Sequence, residues 1–184
     1  DRTPPPEPSL SAFLELVVSR PIAAPLLHHT VIFPLDYRAE HADLFTRRRA
    51  PLDPTVYVCA PDRDDARISS ARGGEEASER LLLLTNAPGA TSLDRDEEER
   101  CRQRIRTTLA RVDLSLDSIL AQRTVLPQDF AARFPGSRGS IYGAAQSSPF
   151  SALSRPSNEH PRFSGLYRVG GSAHPGAGLP MVTL

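Results

Sequence analysis

The sequence contains no lysine, so arginine supplies every side-chain cation apart from histidine. The 22 arginines are balanced by 22 aspartates and glutamates, and the formal net charge at pH 7 is zero. A protein that binds nucleic acid through its phosphates needs a concentrated basic surface. The neutral balance therefore gives no support to a nucleic-acid partner, and we expect none.

Long hydrophobic runs are also missing. Spanning a bilayer takes roughly 18 to 20 consecutive apolar residues, whereas the most apolar stretches, SAFLELVVS and RLLLLTNA, have the length of a strand. No basic start followed by an apolar segment and a small-residue cleavage site is present, so no secretory signal is predicted. Two cysteines, Cys59 and Cys101, are too few for a disulfide scaffold, and we expect buried thiols in a reducing compartment.

The sequence does contain a series of short strand patterns and several helical ones. Residues 11–19 fit a strand with Ala12, Leu14, Leu16 and Val18 on one side and Phe13, Glu15 and Val17 on the other, and β-branched or aromatic residues fill HHTVIF and TVYVCA. Further strands are predicted at RLLLLTNA, SILAQRTVL and GLYRVGG, a surface helix at RAEHADLFTRRR, and a short helix at PQDFAARF. This order predicts an α+β fold, in which a largely antiparallel sheet carries flanking helices.

The clearest helical pattern lies between Asp94 and Val112. Cys101, Ile105, Leu109 and Val112 recur at spacings of four, four and three residues, which places them on one helix face. Asp94 begins a capping-box pattern, and the acids of the first turn suit the positive end of the helix dipole. We interpret the many charges of this segment as a solvated helix face.

A glycine-rich turn follows the last predicted strand, in the stretch GGSAHPGAGLP of residues 170–180. Glycine adopts positive φ angles and lets a backbone or a ligand approach closely, because it has no Cβ. Pro180 suits the first position of a helix, whose N-terminal N–H groups would face the turn and favour negative charge there. The pattern fits a phosphate or a reduced flavin ring, and it equally fits a tight chain reversal without a ligand. It is not the dinucleotide fingerprint, because Met181 stands where the third small residue of GxGxxG belongs.

The residues around this turn match a known family. GSIYG and SRPSNEHPRFSGLYRVGGSAHPGAGLPMV resemble the C-terminal end of the flavin-dependent carotenoid desaturases, the group of phytoene desaturases and carotenoid isomerases. Upstream, PTVYVCAPDR and LLTNAPG resemble most the hydroxyneurosporene and methoxyneurosporene desaturase branch. The positions in register near the end are Arg155, Pro156, Asn158, Pro161, Leu166, Tyr167, Val169, Gly170, His174, Pro175, Gly176, Gly178 and Pro180.

The resemblance implies a portion of a longer flavoprotein that is inactive by itself. Residues 1–164 would belong to the substrate domain, and residues 165–184 would supply the last strand and turn of a Rossmann-like FAD-binding domain. The whole enzyme would desaturate an apolar polyene, a carotenoid, by passing hydride to FAD. No catalytic side chain is assigned. The residues expected beside the cofactor are Gly170, Gly171, Ser172, His174, Pro175, Gly176, Ala177, Gly178, Leu179 and Pro180.

Two other functions stay open on the sequence. One is a related flavoprotein, such as a carotenoid isomerase or a retinol-saturase-like enzyme, and the other is a noncatalytic module that binds an apolar ligand or a partner. A long apolar substrate implies contact with a membrane. The predicted location is the cytoplasm, either free or peripheral to the inner face of the membrane, and no oligomeric state is predicted.

The histidines suggest little further chemistry. His28 and His29 are neighbours, neighbours on a strand point to opposite faces, and no third ligand has a helpful spacing, so no metal is predicted. His174 is expected to hydrogen-bond within the glycine turn or to line the flavin pocket, with acid–base chemistry as the other option.

Overall fold

A computed structural model of the chain describes residues 7–63, 77–145, 156–170, 173–174 and 176. Its strands are β1 (Ser11–Ser19), β2 (His29–Ile32), β3 (Val56–Cys59), β4 (Glu79–Ala87) and β5 (Ile119–Val125). They form one sheet in the order β2-β3-β4-β1-β5, and every neighbouring pair is antiparallel. The helices within the described residues are α1 (Tyr37–His41), which continues as a π-helical segment (Ala42–Thr46), α2 (Arg95–Ala110) and α3 (Pro127–Arg133), followed by a 3₁₀ turn (Pro135–Ser137). The predicted α+β class and the antiparallel sheet are confirmed.

The sheet is built around the nine-residue strands β1 and β4. Their register runs from Ser11 opposite Ala87 to Ser19 opposite Glu79. The outer strands are shorter, with four residues in β2 and seven in β5. Each of these strands lies where the alternation or the β-branched composition predicted it.

Helix α2 covers one face of the sheet and closes the core. Asp94 caps the helix by accepting a hydrogen bond from the Glu97 backbone N–H at 2.8 Å, as the capping pattern predicts. The predicted burial of Val112 is wrong, because the helix ends at Ala110 and Leu114 takes the core position instead. The central core residues are Phe13, Val17, Val56, Val58, Leu81, Leu83, Cys101, Ile105 and Leu109.

Helix α1 and its π-helical continuation differ from the polar surface helix that the sequence predicts. Glu40 and Asp43 are buried. Glu40 accepts hydrogen bonds from the Thr55 backbone N–H at 2.7 Å and the Thr55 hydroxyl at 2.6 Å. Asp43 accepts one from the Leu52 backbone N–H at 3.1 Å. These two acids hold the loop that leads into β3 through these hydrogen bonds, and they are buried because the loop packs over them.

The strand predicted over residues 165–171 does not form within the described part, which ends at Gly170. Tyr167 makes only an isolated antiparallel pair with Glu159. The Arg168 backbone N–H donates to the Asn158 carbonyl at 2.6 Å, and Val169 is exposed. The segment thus pairs with the chain just before it and not with a long strand. The helix predicted to begin at Pro180 lies outside the described residues.

No helix among the described residues is long and apolar enough to cross a bilayer.

Candidate functional site: the open face of the sheet

The sheet face opposite α2 carries a continuous, largely apolar surface, which we call the open face. Its residues form two rows that cross all five strands, because the antiparallel register places them directly opposite one another. The first row is Val31, Tyr57, Leu84, Leu14 and Val125, and the second is His29, Cys59, Leu82, Leu16 and Arg123. Leu16, near the centre of the sheet, is 40% exposed. The rows contain no carboxylate, and aliphatic side chains hold most of their positions, so the open face offers mainly apolar contact.

Two strands in the sequence carry a signal for this surface. Leu14, Leu16, Leu82 and Leu84 occupy the positions that should be polar in a strand with only one covered face. Strands that are apolar on both faces are typical of sheets covered on both sides. The strand pattern locates β1 and β4, but the fold class predicted from it does not account for the second apolar face.

A shallow groove of about 450 Å³ runs along the open face. Its walls include Leu16, Val18, Cys59, Leu82 and Ala121. An elongated apolar molecule fits such a surface better than a compact polar one, because most of the contact would be with aliphatic side chains.

A second cavity, of about 600 Å³, lies beside the π-helical segment. Arg48 and Glu7 form an ion pair in its wall, with 2.6 Å between Nη1 and Oε1. The ring of Phe45 packs against that of His41, with 4.4 Å between their centroids. π-Helical turns are rare and often occur at functional sites. The remaining lining residues are Pro8, Ser9, Leu10, Leu44, Pro88, Gly89, Tyr142 and Ala145.

The glycine turn is described only in part. Gly170 has φ of 118° and Gly176 has φ of 130°, so both need the backbone freedom that glycine provides. The Ala173 backbone N–H donates to the Gly170 carbonyl at 3.1 Å, and that of His174 donates to the Pro156 carbonyl at 3.0 Å. Among the described residues, a Cβ added at Gly170 would meet nothing within 4 Å. The other predicted cofactor residues, namely Gly171, Ser172, Pro175, Ala177, Gly178, Leu179 and Pro180, lie outside the described residues.

The histidine pair does not behave as the sequence predicts. His28 precedes β2, so strand alternation does not separate it from His29, and the two rings lie with centroids 4.2 Å apart. Cys59 is the cross-strand partner of His29 and brings a thiol to the same place. The expectation that the two side chains diverge is therefore wrong, and strand pairing brings in a third candidate ligand that the sequence spacing did not indicate.

The two cysteines have different surroundings. Cys101 is buried in the core, as predicted, and burial raises the pKa of its thiol to about 11. Cys59 is only half-buried, so the prediction of two buried thiols is wrong for Cys59. Burial also raises the pKa of the Tyr57 hydroxyl, and the neighbouring Cys59 thiol adds to that increase.

The best-buried carboxylate, Glu15, lies on the other side of the sheet. Its Oε1 atom accepts hydrogen bonds at 2.9 Å from Arg102 Nε and from Gln122 Nε2, beneath α2. Burial raises the pKa of Glu15, although Arg106 and Arg102 oppose the increase. This network joins β1, β5 and α2, so we assign it to structure and not to the open face.

The chain is homologous over nearly its whole length to carotenoid desaturases, although no family model matches it. It is 41% identical over 180 residues to a hydroxyneurosporene desaturase of Rubrivivax gelatinosus and 33% identical over 177 residues to one of Cereibacter sphaeroides. It is 35% identical over 164 residues to a zeta-carotene-forming phytoene desaturase of Myxococcus xanthus. The alignments cover 96%, 96% and 86% of this chain but 33%, 34% and 31% of the relatives. The chain thus spans about a third of the length of the curated relatives it matches, and the resemblance noted in the sequence is confirmed.

Proposed function

We propose that this chain, a homologue of the carotenoid desaturases, is part of an FAD-dependent oxidoreductase that desaturates a carotenoid by hydride transfer to flavin. The observation that carries the proposal is the similarity along nearly the whole chain to relatives named as hydroxyneurosporene or phytoene desaturases. An isomerase, a retinol-saturase-like enzyme or a noncatalytic module is not favoured by these names. The hydroxyneurosporene desaturases among the relatives suggest a 1-hydroxylated acyclic carotenoid as the first substrate to test.

In this proposal the open face contacts the polyene. Each row crosses five strands, which at about 4.8 Å between strands is roughly 19 Å of nearly continuous side-chain surface. Leu14, Leu16, Leu82 and Leu84 occupy the middle of that surface. An apolar ligand that covers these leucines removes aliphatic surface from water, and each Å² buried contributes about 25 cal/mol of favourable free energy. The same contact excludes water from the substrate. The chain would thus bind and orient the substrate, while the chemistry of hydrogen removal would belong to the cofactor.

We place the cofactor contact at the glycine turn. The positive φ angles of Gly170 and Gly176 and the space beside Gly170 are compatible with the close approach of a flat, partly anionic group. FAD, when bound, would supply the hydride acceptor. The ten residues predicted beside the cofactor remain the proposed set, with residues 1–164 in the substrate domain and residues 165–184 in the cofactor domain.

Substrate supply suggests peripheral contact with a membrane at its inner face, because long carotenoids dissolve in bilayers and not in water. The segment around β2 supports this proposal, since Leu27, Phe33, Leu35 and Tyr37 are exposed. Apolar and aromatic side chains of this kind enter the boundary between headgroups and acyl chains.

The substitution Leu16→Gln tests the open face. The polypeptide that contains this chain is expressed in a host that accumulates hydroxyneurosporene, and carotenoid conversion and flavin per polypeptide are both measured. We expect about a tenfold loss of conversion with unchanged flavin content, because an amide held against an apolar ligand without a partner costs about 1–3 kcal/mol. The matched control is Val112→Gln, because Val112 is 47% exposed, similar to Leu16, but lies beyond the end of α2.

The outcomes separate the parts of the proposal. Wild-type polypeptide that binds no flavin, or that binds flavin and converts no carotenoid, would overturn the proposed activity. If Leu16→Gln converts carotenoid as fast as the wild type, the proposed activity is still supported, but the open face is not part of the substrate site. Equal losses in Leu16→Gln and Val112→Gln would also count against the open face.

A further inference from the structure

We propose that His28, His29 and Cys59 bind one divalent transition-metal ion, with zinc as the metal that their chemistry suits. A ligand atom of each histidine and the Cys59 sulfur all lie within 4.8 Å of one another. The site lies where β2 begins, at one end of the second row of the open face, and metal binding there can be tested without flavin or carotenoid.

The backbone fixes the three residues before any metal binds. His29 stands opposite Cys59 in the β2–β3 pair. The Ala60 backbone N–H donates to the His28 carbonyl at 2.8 Å and so extends that pairing by one residue. Two ligands therefore come from consecutive residues where β2 begins and the third from the neighbouring strand, so little backbone freedom would be lost on binding.

The donor set is selective. Two imidazole nitrogens and a thiolate are the ligands that zinc and copper prefer, whereas magnesium and calcium require oxygen. Three protein ligands leave the fourth tetrahedral position of a zinc ion to water. One thiolate and two neutral imidazoles leave a complex of charge +1, which partial exposure to solvent tolerates. His28 and Cys59 are half-buried and His29 is exposed, so an ion can reach them.

The distances permit closure around an ion. Zinc bonds of about 2.0–2.1 Å to nitrogen and about 2.3 Å to sulfur place tetrahedral ligand atoms about 3.3–3.7 Å apart. From separations of no more than 4.8 Å, a shift of less than about 1 Å per side chain brings the three together. Rotation about side-chain bonds provides a shift of that size.

Tyr57 contacts the site from the same face of the sheet. Its hydroxyl oxygen lies 2.7 Å from Nδ1 of His29, and the two rings are stacked with centroids 5.9 Å apart. A hydrogen bond at one ring nitrogen fixes the ring and the tautomer of a metal-binding histidine. We therefore assign Tyr57 as the residue that positions His29, and not as a ligand.

Cobalt(II) is the probe for the experiment, because it replaces zinc in such sites and a cobalt–thiolate bond gives a charge-transfer band in the near ultraviolet. The purified, reduced protein is freed of metal with a chelator and titrated with Co²⁺, and Zn²⁺ is then added in competition. We expect one Co²⁺ per chain, a charge-transfer band, and displacement by one equivalent of Zn²⁺. Cys59→Ser should abolish the band, and His28→Ala and His29→Ala should each weaken binding at least about tenfold, because even the loss of an outer-shell partner of a ligand weakens binding about 10–100-fold.

His41→Ala is the control, since His41 is exposed and lies on α1 away from this cluster. Absence of the charge-transfer band in the wild-type protein, or its persistence in Cys59→Ser, would overturn the proposal. Because a variant can fail to fold, a second measurement uses the wild-type protein alone. Zn²⁺ should slow alkylation of Cys59 at least about tenfold, because a coordinated thiolate is withdrawn from reaction. Buried Cys101 serves as the internal reference. An unchanged alkylation rate would equally refute the site.

Discussion

Replacing Asp43 tests how two buried acids hold the loop before β3. In the structure Asp43 Oδ1 accepts hydrogen bonds from Arg47 Nη1 and Arg49 Nε, each at 2.9 Å, and Oδ2 accepts one from the Leu52 backbone N–H at 3.1 Å. The carboxylate is almost fully buried, whereas the arginine side chains are 52% and 48% exposed. Asp43→Ala removes all three hydrogen bonds, and Asp43→Asn keeps an oxygen for Leu52 but removes the charge.

The expected loss can be worked out from these contacts. Ion pairs with half-exposed arginines contribute at most about 1 kcal/mol each. A hydrogen bond from a backbone N–H to a buried charge contributes about 1.5–3 kcal/mol. We therefore expect Asp43→Ala to lower the free energy of unfolding by about 3 kcal/mol and Asp43→Asn by about 1–2 kcal/mol. Asp117→Asn, at an exposed position, should change it by less than about 0.5 kcal/mol.

The pH dependence gives a second, independent check. Burial raises the pKa of Asp43, but the hydrogen bonds from Leu52, Arg47 and Arg49 outweigh burial and leave the pKa lowered. The folded state therefore favours the carboxylate, and this stability is present above the unfolded pKa of about 3.9 and is lost as the pH falls through the folded pKa.

Urea denaturation followed by circular dichroism at pH 7 and at pH 3 measures both effects. The difference between wild type and Asp43→Asn should shrink at the lower pH. Two results would refute the proposed role of Asp43. One is an Asp43→Ala variant that is as stable as the wild type at pH 7, and the other is a difference in stability between wild type and Asp43→Asn that is the same at pH 7 and at pH 3.

Three further predictions concern other positions. Gly89→Ala places a Cβ 2.2 Å from the Ser9 carbonyl oxygen and should lower the denaturation midpoint, with a loss of about 1–3 kcal/mol; an unchanged midpoint would show that this contact is not maintained. Ile105→Ala should cost about 2–5 kcal/mol in the same assay and Val112→Ala less than about 0.5 kcal/mol, because only Ile105 is buried; similar losses would contradict the position at which α2 ends. If the polypeptide that contains this chain binds flavin as proposed, Gly176→Val puts a β-branched residue at φ of 130° and should abolish flavin retention, so normal flavin absorbance would remove the turn from the proposed cofactor site.

The regular elements could be predicted because their signals are local. Residues 11–19 alternate, and the spacing of Cys101, Ile105 and Leu109 marks one helix face, so periodicity alone locates β1 and the buried stripe of α2. Asp94 is likewise recognisable as a cap, because its partner is only three residues away. Each of these features depends on neighbours within one or two turns of chain.

Several of the misses depend on partners that are distant in sequence. Glu40 is buried because Thr55 needs an acceptor, and nothing around Glu40 in the sequence shows that requirement. His29 and Cys59 meet only through the pairing of β2 with β3. The short stretch at Tyr167 has strand composition but finds only Glu159 as a partner, so propensity without a long neighbour did not produce a strand. Knowledge of the strand order would have corrected the cysteine and histidine interpretations.

The order of the strands has a consequence for how the chain folds. β1 comes first in the sequence, yet its two neighbours, β4 and β5, are residues 79–87 and 119–125. During synthesis the nascent β1, with Phe13 and Val17, therefore has no partner among the described strands until nearly half of the described residues have been made. Pairing across such separations is slow, and an unpaired apolar strand is prone to aggregate. We expect the β2–β3 hairpin to form before the centre of the sheet, and refolding yield to fall as protein concentration rises.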